Sequence, residues 1–196
     1  MTMKLTRQIQ AQGGFTLIEL LVGLGLLSIV VGTLSVIAIT GVRATRTTND
    51  FLQTQAHVRA GLDQVTDEIR WAEHVDAASA MSVTVFVPQS TPFSPNSPYT
   101  VTFAYDAAAR TITRQEDPDA DGPLTPGAAV PIAYLVVQRD GTAGLSFEYF
   151  DRVANSLGTA PADLNAVARV RIIVSTTSNG ICRTMAGDDA LRGKLD

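Results

Sequence analysis

Between Phe15 and Val42 the sequence carries a single ionisable side chain, Glu19, within the stretch GGFTLIELLV. A charge at the centre of a membrane-inserted helix costs about 2.5–3.5 kcal/mol on insertion scales, so something must offset that cost, whether a partner charge or snorkelling of the side chain to the membrane interface. A second acidic constellation is DPDADG, which places Asp117, Asp119 and Asp121 at alternate positions ahead of Gly122. That is the spacing of the first ligands in an EF-hand-type calcium loop, where alternating carboxylates converge on one hard cation as the chain turns at the glycine. The twelfth loop position is Ala128 rather than a bidentate Glu, and Pro118 and Pro123 stiffen the segment. Structural calcium at Asp117, Asp119 and Asp121 is therefore one expectation, and a solvated acidic turn is the other.

Other reactive side chains are scattered. His57 and His74 stand far more than one helical turn apart and outside any H-E-x-x-H pattern, so each reads as a solvated or hydrogen-bonded histidine. Cys182 is the one cysteine; an internal disulfide is impossible, and the thiol is idle, buried or paired between molecules. Trp71 falls where core packing explains it, and Arg169 and Arg171 alternate on what reads as a solvated strand face. No P-loop, G-x-S-x-G or Cys/His nucleophile arrangement is present, and the sequence is read as that of a non-enzyme.

The chain has 196 residues, 45 % hydrophobic and 17 % charged, with a formal charge of −4. This suits one modest globular domain joined to an apolar element. The acidic balance and the lack of any basic run argue against a mainly electrostatic nucleic-acid binder, although contact with DNA stays open.

The run from Phe15 to Val42 exceeds the roughly 20 apolar residues a helix needs to cross a bilayer. Lys4 and Arg7 in the leader MTMKLTRQIQAQGG hold that end in the cytoplasm and send the carboxyl-terminal bulk outside. A secretory signal carries its small residues after the apolar stretch; here Gly13 and Gly14 precede it. A cut after Gly14 leaves the apolar helix attached to the mature protein.

The run Gly14, Phe15, Thr16, Leu17, Ile18, Glu19 and the apolar helix behind it resemble the processing site of type IV prepilins and of the related pseudopilins of type II secretion. The close match covers about the first quarter of the chain. It implies that a prepilin peptidase cuts between Gly14 and Phe15 and that Phe15 becomes N-methylated. It also supplies a partner for Glu19. Cleavage frees an α-ammonium on Phe15, and in a filament Glu19 of one subunit pairs with the ammonium of its neighbour, setting the register.

Past Val42 the pattern turns amphipathic, with Phe51, Val58, Leu62, Val65, Ile69 and Ala72 on one helical face. One helix is predicted from about Phe15 to His74. Strands are predicted at VTVFV, YTVTFAY, RTITRQ, AYLVVQ, LSFEYF and VARVRIIVS, with DAAAR as a hairpin connection and PQSTPFSPNSP as an irregular loop. The predicted organisation is a leader at 1–14, a membrane-spanning or filament-core helix at 15–42, its amphipathic continuation at 43–75, a β-rich head at 76–185 and a flexible polar tail at 186–196. A long helix followed by an antiparallel sheet is an α+β order similar to the pilin fold. The stretch from Gly144 to Ser175 is further similar, more loosely, to W-type minor pilins and J-type pseudopilins.

The resemblance implies a structural subunit in the inner membrane that enters or primes a pilus for adhesion, motility or DNA uptake. Its partners are other pilin and minor pilin subunits, the prepilin peptidase and an inner-membrane assembly platform. A type II secretion pseudopilin is the alternative within the family. From other classes, a membrane-tethered extracellular ligand-binding module or a tethered hydrolase share the same anchor.

Overall fold

The computed structural model describes residues 16–120, 125–134, 136–137, 144–178 and 181–194. The chain divides into two units at Arg46/Thr47, and one helix, α1 (Leu17–Trp71), runs through both of their sequences.

In the first unit α1 exposes its apolar side chains along its length, from Leu17 at 78 % exposure to Val42 at 52 %. The second unit begins with the amphipathic half of α1 and continues in antiparallel strands. The first five are β1 (His74–Ala78), β2 (Ser82–Val87), β3 (Tyr99–Asp106), β4 (Thr111–Asp117) and β5 (Val130–Ala133), and they form one sheet in sequence order. The others are β6 (Leu145–Phe150), β7 (Ser156–Gly158), β8 (Arg169–Ser178) and β9 (Ile181–Ala190), in a second sheet of order β7-β6-β8-β9. The observed architecture is an α+β fold with a long amino-terminal helix packed on antiparallel sheets.

Packing follows the two periodicities. Val58, Leu62, Val65 and Ile69 of α1, and Ala72 just past its end, are buried, as the helical spacing predicts. The inner faces of the strands meet them with Val83, Val85 and Val87, with Val101 and Phe103, and with Leu145, Phe147 and Tyr149. Phe51, expected on the same helical face, is half-buried under the Arg183 guanidinium, 5.8 Å from its ring centroid. At Gly61 the helix meets strand backbone, since a Cβ there would lie 2.8 Å from Ile132 O. Gly61→Ala is therefore expected to lower the melting temperature. The helix-propensity gain of about 1 kcal/mol is outweighed by an overpacking cost of about 1–3 kcal/mol; thermal unfolding of the variant measures the balance.

The hairpin at DAAAR forms as predicted. The Asp106 carboxylate accepts the Ala108 and Ala109 N–H groups, both at 2.9 Å, and Arg110 takes a left-handed φ of 56°. Two expectations differ from the structure. Of AYLVVQ, Ala133 ends β5, Tyr134 lies outside any strand and Val136 makes an isolated bridge to Thr176, while Leu135 and Gln138 lie outside the described residues. Among the described residues beyond 185, no flexible tail is found. Ala186–Ala190 complete β9, Leu191 is fully buried with its N–H on Ala168 O at 2.9 Å, and Arg192 stacks over Trp71 at 4.4 Å. The polar composition of this end reflects alternation on an edge strand, where every second residue faces water. Strands β1 and β7, also unpredicted, are short edge strands with little apolar signal.

Candidate functional site

The amino-terminal site is built on the first turn of α1. Thr16 caps the helix: its carbonyl accepts from the Glu19 N–H at 3.1 Å and the Leu20 N–H at 3.2 Å, and its Oγ1 lies 3.4 Å from the Glu19 nitrogen. Thr16 and Glu19 thus have the T-x-x-E spacing of a capping box, a signal in the sequence that went unread. Glu19 is exposed in the first helical turn, where the unpaired N–H groups and the helix dipole favour a carboxylate. The helix begins at Leu17 rather than Phe15. Gly14 and Phe15 lie outside the described residues, so the expected cleavage point is two residues before the helix start.

Hydroxyl groups within the apolar run are satisfied by the helix itself. Ser28, Thr33, Ser35 and Thr40 donate to the carbonyls of Leu24, Val30, Val31 and Val36, at 2.8, 2.8, 2.8 and 2.5 Å. This is the arrangement a helix requires where no water is at hand. Arg43, next along the chain, is the first ionisable residue after Glu19.

The acidic constellation is partly described. Asp117 is buried at the end of β4, and its carboxylate closes its own loop: Oδ2 accepts the Thr125 N–H at 2.9 Å and Oδ1 accepts the Asp119 N–H at 3.2 Å. Asp121 lies outside the described residues. Among those described, no three His, Cys, Asp or Glu side chains are placed to hold a metal ion.

The most demanding polar cluster is one the sequence reading missed. Glu68 is 1 % exposed on the apolar face of α1, between Val65 and Ile69. Its carboxylate accepts a bidentate pair from Arg114, Nε to Oε1 at 2.8 Å and Nη2 to Oε2 at 3.0 Å, a bond from Tyr99 OH at 3.0 Å and one from Gln64 Nε2 at 3.2 Å. Arg114 also pairs with Glu116 at 2.8 Å. Burial, followed by the Glu68 charge, pushes the Tyr99 phenol well above its ordinary value. The cluster joins α1 to β3 and β4. The available signal was a glutamate interrupting an apolar stripe of three-four spacing.

His57 is exposed, whereas His74 stacks on Phe86 at 4.9 Å and meets Asp76 at 3.0 Å. Arg171 and Arg169 reach Asp188 at 3.1 and 3.6 Å, and Arg171 also reaches Glu148 at 3.6 Å, a cross-strand charge ladder on a solvated face. Cys182 is exposed.

Compared with known families, residues 9–35 match the prokaryotic N-terminal methylation motif. The match brackets Gly14, Phe15 and Glu19 and extends into α1; it leaves the head unmatched. No curated protein matches the chain.

Proposed function

We propose that the chain is a type IV pilin-like subunit, a structural and non-enzymatic protein held in the inner membrane by the first half of α1 before assembly. The observation that carries this reading is the methylation motif running directly into an apolar, outward-facing helix whose only ionisable side chain before Arg43 is Glu19. On this reading a prepilin peptidase removes residues 1–14, Phe15 is N-methylated, and the mature subunit joins other pilins through an assembly platform. A minor pilin is the preferred role, with a type II secretion pseudopilin as the alternative; sheared pili or a secretion defect in a deletion strain separate them.

Mass spectrometry of the purified protein is expected to show a mature chain beginning at methylated Phe15. A wild-type chain retaining Met1 overturns the proposal. Gly14→Val is expected to leave an uncut precursor, because a branched side chain beside the scissile bond blocks close approach of the peptidase.

Calcium at Asp117, Asp119 and Asp121 is a separate proposal. A rise in melting temperature with calcium that Asp119→Ala removes supports it. Unchanged melting leaves Asp117 with the loop-closing role that its hydrogen bonds describe.

A further inference from the structure

Strand β9 is an open edge of the four-stranded sheet and runs ten residues against β8 without a register shift. Edges of that length ordinarily carry a proline, a bulge or free charged side chains that keep other strands away; Ile181–Ala190 has no proline and no bulge, and its charges are already engaged, Arg183 over Phe51, Asp188 with Arg169 and Arg171, and Asp189 with Arg70. Two contacts fix the direction of each backbone group. The Leu191 N–H donates to Ala168 O and the Ser175 N–H donates to Gly144 O. Alternation then turns Arg183, Met185, Gly187 and Asp189 toward β8, and Thr184, Ala186 and Asp188 toward the open edge.

The flank of α1 runs beside this edge in the same direction. Phe51 lies under Arg183, Thr66 and Leu62 face Gly187, and Arg70 donates to Asp189 at 2.7 Å. Between helix and strand is a groove of about 440 Å³, with Leu62, Met185 and Gly187 at its base and the exposed Arg59 and Asp63 at its rim. A Cβ on Gly187 would lie 2.8 Å from Thr66 Oγ1, so the bare backbone is what lets the helix pack this closely against the strand at the base of the groove. Neither Arg59 nor Asp63 makes an ion pair among the described residues.

We propose that β9 is a strand-addition site for an extended segment of a partner protein. The segment runs antiparallel to β9 and bonds to Thr184, Ala186 and Asp188 through its main chain. Main-chain bonds supply the affinity and alternate side chains in the groove supply selectivity. The four residues from Arg59 to Asp63 rise about 6 Å, close to the span of two strand residues. An antiparallel partner therefore presents a small apolar residue over Gly187, then a base two residues on for Asp63, then an acid two further for Arg59.

The test uses the full chain in detergent micelles and the peptide acetyl-Thr-Val-Thr-Lys-Thr-Glu-Thr-amide at millimolar concentration, read by amide hydrogen exchange. Exchange is expected to slow across 184–188. A peptide N-methylated at its two inner threonines keeps every groove-facing side chain and is expected to bind about ten-fold more weakly or worse. Ala186→Pro removes an edge N–H that β8 does not use, and is expected to abolish the protection while leaving thermal unfolding unchanged. Arg59→Glu is expected to weaken binding severalfold. Unchanged exchange at 184–188, or equal protection by the N-methylated peptide, overturns the proposal. Protection that grows with protein concentration in the absence of peptide assigns the edge to a second copy and overturns the separate partner.

Discussion

Arg114→Leu is expected to destabilise the head by about 3–5 kcal/mol, the loss that follows when a buried charge is left without its partner. In a unit of this size that lowers the melting temperature by on the order of 10 °C. The cause is the Glu68 carboxylate, 1 % exposed and held in the bidentate fork of Arg114. Tyr99 and Gln64 still donate to it in the variant, but neither carries a charge to offset the desolvation. The double variant carries the diagnosis. Replacing both partners with Leu is expected to cost less than Arg114→Leu alone, since no charge is then stranded. Chemical unfolding of the wild type and the two variants measures this, and a double variant as destabilised as Arg114→Leu rules out the stranded carboxylate as the cause.

Glu19→Ala is expected to be cleaved normally and to assemble poorly. The proposed scissile bond between Gly14 and Phe15 is untouched, whereas on the proposed pairing the neighbour's ammonium loses its carboxylate in a low-dielectric setting where an unpaired charge costs several kcal/mol. Glu19→Lys is expected to be worse, because repulsion is added and a cation in the first turn of α1 also opposes the helix dipole, by about 0.3–1 kcal/mol. Cross-linking of engineered cysteines along α1, with Cys182 replaced, reads the outcome. Wild-type cross-linking in Glu19→Ala assigns the carboxylate to capping its own helix with Thr16, and removes it from register setting. Because the proposed role needs an ammonium on a neighbour, the subunit is expected to sit beneath at least one other subunit rather than at the extreme tip.

The α+β class, the long helix and its buried face were legible in the sequence, because they rest on local periodicity. An apolar run of this length has few outcomes, and Val58, Leu62, Val65, Ile69 and Ala72 repeat at a helical spacing whatever they pack against. The motif around Gly14, Phe15 and Glu19 was legible for the same reason: its residues lie side by side in the chain. Tertiary structure decided what depends on neighbours distant in sequence. Glu68 and Arg114 are 46 residues apart, and although the glutamate interrupts the apolar stripe, nothing local names the cation that pairs with it. Strand β9 carries too weak an alternation of apolar residues to announce itself, and it exists because β8 offers ten consecutive backbone partners. The polar segment 186–194 is ordered because Leu191 fills a place in the core and Arg192 covers Trp71. Composition alone could not distinguish such a docked end from a frayed one, since the energy that holds it comes from surfaces formed by β8 and by the end of α1.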